Sequence, residues 1–171
     1  IDPQRGNDRA QVSAPDYIDY RRSLRSFSAL AARAEATLTL SGRGDAERLA
    51  ASAVTANLFP VWGLRPRLGR LFRIGEDAPG AEPVVVLSNR FWQRRFAGDP
   101  AIIGSALTLD GKRVSVIGVL EPAIEIGNLS EIDVWVPLVP DPAEQGRDRR
   151  ALEIVGRLAP GPHDGAVRRV E

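Results

Sequence analysis

Residues 83 to 122 read PVVVLSNRFWQRRFAGDPAIIGSALTLDGKRVSVIGVLEP, and their order decides the fold class. Val84 to Leu87 is a short continuous apolar run that reads as a strand. Ser88 follows as a helix cap, and the helix it opens sets Trp92 and Phe96 four residues apart on one face. Gly98 is expected to end that helix, and Asp99-Pro100 to restart a single turn. Ala106 to Leu109 then pairs with Val114 to Val119 across Asp110-Gly111, a strong hairpin signal because Gly111 takes positive φ at little cost. Strand, capped helix and hairpin within forty residues specify architecture sharply and chemistry hardly at all.

Outward from this block the pattern continues. Residues 1 to 11 are polar and read as a loose lead-in. Ser13-Ala14-Pro15-Asp16 predicts a helix start, with Tyr17, Tyr20, Leu24 and Phe27 at helical spacing and Ser26 to Ala32 ending the helix. Ala34 to Leu40 alternates apolar and polar residues, and the turn Ser41-Gly42-Arg43-Gly44-Asp45 predicts a hairpin with Ala50 to Val54. Arg43-Gly44-Asp45 also spells an adhesion tripeptide, but glycine and aspartate are what a turn requires, and the turn reading is preferred.

Thr55 to Phe59 opens a short helix that Gly63 terminates, and Leu64 to Phe72 reads as an irregular connection anchored by apolar residues. Ile74 to Glu82 is a polar loop. Asp133 to Leu138 is a late apolar segment, Pro140 to Arg150 a charged loop, Ala151 to Leu158 a strand, and Asp164 to Glu171 the opening of a helix. Trp62, Trp92 and Trp135 each lie within an apolar pattern and are expected in the core.

Composition excludes several classes of function. Twenty-three basic residues against 22 acidic ones give a net charge of +1, so binding of nucleic acid by bulk charge is not expected. Lys112 is the only lysine, and the arginines, often in pairs such as Arg94-Arg95, read as a solvated surface. The absence of cysteine excludes disulfides, thiolate nucleophiles and cysteine-ligated zinc. No apolar run approaches the roughly 18 residues of a membrane helix. There is no methionine either, so Ile1 reads as a cut end.

A search for chemistry finds no foothold. No glycine-rich loop ends in Gly-Lys-Ser or Gly-Lys-Thr, and the glycines around Gly63 and Gly69 have the wrong spacing for a pyrophosphate cradle. His163 is the only histidine, which forbids a two-histidine metal site, and its simpler role is beside Asp164 at a helix start. Glu76-Asp77 lies in a polar loop, and no serine sits in a Gly-x-Ser-x-Gly elbow. No catalytic, cofactor-binding or metal-ligating residue is therefore assigned, and no cofactor is expected.

Six blocks in order resemble the MacB-like periplasmic core domain of bacterial ABC-transporter permeases, especially the larger orphan permeases. They are Ser13 to Tyr17 with Phe27; Thr55 to Phe59 with Gly63, Pro66, Gly69, Arg70 and Phe72; Val85 to Ser88 with Trp92 to Phe96 and Gly98-Asp99-Pro100; Leu109-Asp110-Gly111 through Val116 to Val119; Asp133 to Leu138; and Gly156-Arg157-Leu158 with Pro160-Gly161.

The resemblance implies an α+β, two-lobed fold: a porter-like strand-helix-strand lobe from residues 12–45 and 146–171, incomplete at its C-terminal side, with a mixed β-rich lobe, residues 46–145, inserted into it. It also implies an extracytoplasmic, non-enzymatic domain between two membrane helices. Cytoplasmic ATP hydrolysis would be coupled through those helices to export or mechanical work. The implied partners are the permease's own transmembrane helices and an ABC ATPase subunit or domain, with a second permease copy and a periplasmic adaptor as further candidates. Two other readings compete. One is a free-standing module holding a peptide or glycan near Trp62 and Trp92; the other is a hydrolase whose site includes His163.

Overall fold

The computed structural model describes residues 11–23, 27–42, 44–122, 127–139 and 151–158, and the backbone of 167–169. Helix α1 (Ala14–Ser23) starts where the sequence predicts: the Ser13 hydroxyl accepts from the Asp16 N–H at 3.2 Å and donates to the Asp16 carboxylate at 2.7 Å. Its Tyr17 is buried, and the phenol donates to the Leu30 carbonyl at 3.4 Å.

The strand that follows corrects the sequence reading. Strand β1 (Phe27–Ser41) begins at the phenylalanine assigned to the helix face and takes in all of Phe27 to Arg33. That half pairs antiparallel with β8 (Glu153–Leu158), more than a hundred residues later, and a partner so distant leaves no trace in local periodicity. The other half, Arg33 to Leu40, pairs antiparallel with β2 (Glu47–Val54), which is the predicted hairpin. Gly42 and Gly44 take positive φ between the two strands.

Helix α2 (Leu58–Trp62) ends on Gly63 in the left-handed region, as expected. The connection read as irregular holds β3 (Pro66–Gly69), which pairs with β6 (Lys112–Leu120). Gly69 lies opposite Gly118 because the two backbones come too close for a Cβ: one built on Gly118 would overlap the Arg70 carbonyl. A strand held by glycine contact lacks the alternation that announces one.

Next come β4 (Val84–Leu87), α3 (Asn89–Phe96), a 3-10 turn (Pro100–Ile102) and β5 (Ala106–Leu109), all close to their predicted places. Ser88 accepts from the Phe91 N–H at 3.1 Å, and α3 closes on Ala97 in the left-handed region, one residue before the expected Gly98. Asp110 and Gly111 have φ of 47° and 75°, the two positive values of a type I′ turn. A 3-10 stretch (Gly127–Glu131) precedes β7 (Val134–Pro137). Near the C-terminus the predicted helix is replaced, at the described residues, by β9 (Val167–Arg169), antiparallel to β8. The free edge of β8 supplied a ladder that local propensity could not foresee. The expected loop Pro140 to Arg150 and His163 lie outside the described residues.

Nine strands of the described residues join one sheet in a mixed α+β fold. Six of them return on themselves: β1 pairs β2, β2 pairs β7, β7 pairs β4, β4 pairs β6, β6 pairs β5, and β5 pairs β1. The result is a small closed barrel. Every second residue of its strands points inward: Leu38 and Leu40, Leu49 and Ala51, Val134 and Val136, Val85 and Leu87, Val114 and Val116, Leu107 and Leu109 pack in one cluster.

Val84, Val86 and Trp135 point the other way, into a second core with Phe59, Phe72 and Leu120. Strand β4 is thereby buried on both faces. A third core joins α1 to β1 and β8 through Tyr17, Leu30 and Ile154.

Candidate functional site

The two ends of the barrel differ. One is plugged by α3 and the turn after it, through Phe91, Trp92 and Ile102, with Phe96 and Ile103 packed against them. Trp92 is buried as expected, donating its indole N–H to the Asp99 carbonyl at 2.9 Å, with the Arg67 guanidinium 5.4 Å from the ring centroid.

The opposite end carries no such plug among the described residues. There the starts of β4 and β6 meet the ends of β5 and β7, and a groove of about 390 Å³ leads to the barrel's interior residues. Leu38, Leu109, Val114 and Val136 form its apolar floor, with Pro83, Pro137 and Val139 beside them. Val139 is among the few large apolar side chains exposed to solvent. Four charged residues line the groove: Glu76, Glu82, Asp110 and Lys112.

Their electrostatic states differ. Arg70 grips Glu76 with two hydrogen bonds, at 2.6 and 3.0 Å, and the Arg73 N–H adds a third at 2.8 Å. Partial burial pushes the Glu76 carboxyl up, but these donors outweigh it and hold the group below the usual carboxylate range. Asp110 accepts from the Thr39 N–H at 2.7 Å and donates its own N–H to the Thr39 carbonyl at 2.9 Å, fixing the hairpin tip against β1. Glu82, Asp110 and Lys112 form no ion pair among the described residues.

The residues singled out in the sequence fall elsewhere. Trp62 packs edge-on against Trp135, 6.3 Å between centroids, in the core outside the barrel, whereas Trp92 plugs the barrel itself. Of the Glu76-Asp77 pair, Glu76 is taken by Arg70 and Asp77 accepts the Ala56 N–H at 2.9 Å, so both pin the loop before β4. The arginine pair Arg94-Arg95 reaches Glu47, and buried Asp133 receives Arg90 at 3.0 Å as well as the Ala50 N–H at 3.1 Å. Arginines thus tie α3 to β2 and to the entry of β7.

Among the described residues no group of three His, Asp or Glu side chains could hold a metal ion, and no helix is long and apolar enough to cross a membrane. The groove escaped sequence reasoning because barrel closure brings its lining together from four separated segments.

Residues 1–170 match the family described as the MacB-like periplasmic core domain. Among solved structures, the chain is similar to the periplasmic region of MacB from Actinobacillus actinomycetemcomitans, with a TM-score of 0.69 and 16% identity over 91% of this chain and 69% of that one. It is also similar to the extracellular domain of the noncanonic ABC-type transporter YknZ from Gram-positive bacteria, at 0.58 and 16% over 85% and 71%. A domain of a protein described as a permease, from Porphyromonas gingivalis, aligns at 0.67 and 15% over 90% and 65%. At such identities the likeness speaks for the fold. A search of curated proteins finds no sequence match.

Proposed function

The chain belongs to the MacB-like periplasmic core domain family, found in permeases of the ABC-transporter type, and on that premise we propose that it works as the extracytoplasmic domain of such a permease. In this reading it is not an enzyme. It relays movement of the permease's membrane helices, driven by a cytoplasmic ABC ATPase subunit or domain, to export or to mechanical work outside the membrane. The family match over nearly the whole chain carries the proposal.

The build of the domain supports a relay. Strand β1 belongs to two assemblies at once: Phe27 to Arg33 lies against β8, and Arg33 to Ser41 is part of the barrel. We take residues 12–45 with 146–171 as one lobe and residues 46–145 as the other; β1 lies in the first and lends its second half to the barrel that the second builds. A fifteen-residue strand shared between them passes displacement from one to the other through backbone hydrogen bonds.

The placement is testable because the chain has no cysteine. Ile74 is 97% exposed, so Ile74→Cys gives these 171 residues one labelling site at little structural cost, with the unsubstituted protein as the control. In intact cells carrying the full-length protein, a membrane-impermeant maleimide should label this position. Labelling only after the membrane is broken would overturn the extracytoplasmic assignment.

A further inference from the structure

The open mouth of the barrel has the parts of a small-molecule site: concavity, an apolar floor and a few polar groups at its edge. Strand pairing fixes the floor, since Leu38, Leu109, Val114 and Val136 are inward positions of four different barrel strands. The rim is set by the loop before β4 and the β5–β6 turn, each tied down by side-chain hydrogen bonds. Such a site needs little reorganisation to receive a ligand.

Charge selects the occupant. With Glu76 neutralised by Arg70, the described lining is left with two carboxylates, Glu82 and Asp110, against one ammonium, Lys112. The rim is therefore acidic on a chain whose net charge is +1. A cation gains from both carboxylates over a low-dielectric apolar floor, while an anion of the same shape has only Lys112 to meet. From this combination we propose that the barrel mouth is a binding site for a small organic cation with a compact apolar body. The site rests on the groove alone and stands whether or not the domain serves a permease.

Two probes of similar shape and opposite sign test it: tetraphenylphosphonium and tetraphenylborate. The 171-residue chain is titrated with each by calorimetry and by backbone amide NMR. Tetraphenylphosphonium should bind with a Kd below about 1 mM and shift the amides of Leu38, Asp110 to Lys112 and Val136, with tetraphenylborate at least about tenfold weaker.

Glu82→Gln with Asp110→Asn should weaken the phosphonium by about tenfold. Asn at position 110 keeps the oxygen that caps Thr39 and favours the positive φ of the turn, so the hairpin survives. Glu82→Gln alone, in an exposed loop, should give a smaller loss in the same direction. Equal or tighter borate binding, shifts confined to another surface, no binding of either probe, or undiminished affinity in the double variant would each overturn the proposal.

Discussion

Arg33 stands where β1 exchanges one neighbour for another, and its Nε lies 2.8 Å from the carboxylate of Glu153 on β8. The arginine side chain is 3% exposed and Glu153 15%, so this ion pair is largely withdrawn from water, with Glu35 a further 3.7 Å contact. Glu153→Ala removes the nearer counter-charge and should cost about 3 kcal/mol, seen as a lower urea midpoint. Arg33→Met combined with Glu153→Leu should recover most of that loss, because an apolar pair has no charge to desolvate. A double variant as unstable as the single one would contradict this account.

Trp92 and Trp135 are both buried, but they differ in one atom's fate. The Trp92 indole N–H reaches the Asp99 carbonyl, whereas the buried Trp135 Nε1 has no hydrogen-bond partner in the structure. Trp92→Ala should cost about 3 kcal/mol or more, and an unchanged melting temperature would refute the plugged end of the barrel. Trp135→Phe forfeits no hydrogen bond and should be milder than Trp92→Phe in the same thermal melt.

Ser88 caps α3, whose aromatic face closes the barrel. Ser88→Ala should lower stability by about 1 kcal/mol and Ser88→Gly by less, both measured by urea denaturation. Equal stability of all three chains would show the cap to be idle.

The Arg70 and Glu76 pair gives the fold a dependence on acid. Since the Glu76 carboxyl is held below its ordinary value, its contribution is complete above the unfolded carboxylate range and disappears as pH falls through the lower, folded value. Glu76→Gln should therefore flatten the acid limb of a stability-against-pH curve while leaving the neutral and alkaline part parallel to wild type. Because both side chains are partly exposed, added salt should reduce the difference.

Much of the fold was legible because the decisive signals are local. Ser88, the spacing of Trp92 and Phe96, and the Asp110-Gly111 turn each act within a few residues, and the structure places all three where they were read. What local pattern misread was pairing between distant segments. Phe27 looked helical until β8 lay beside it, β3 depends on the contact of Gly69 with Gly118, and β9 is a strand because β8 has an edge to offer. The groove was invisible for the same reason: Leu38, Glu82, Asp110 and Val136 become neighbours only when the sheet closes.

The closure itself is uneven. On one edge β1 meets β2 through eight residue pairs; on the other it meets β5 through two, Leu40 with Leu109 and Ser41 with Thr108. Of the ring's two seams of two pairs, this one and that between β7 and β4, only this one lies on β1. Tension carried along β1 would fall on those two pairs first, and their parting would turn a sealed cylinder into a curled, open sheet, with the floor of the groove as the newly exposed face.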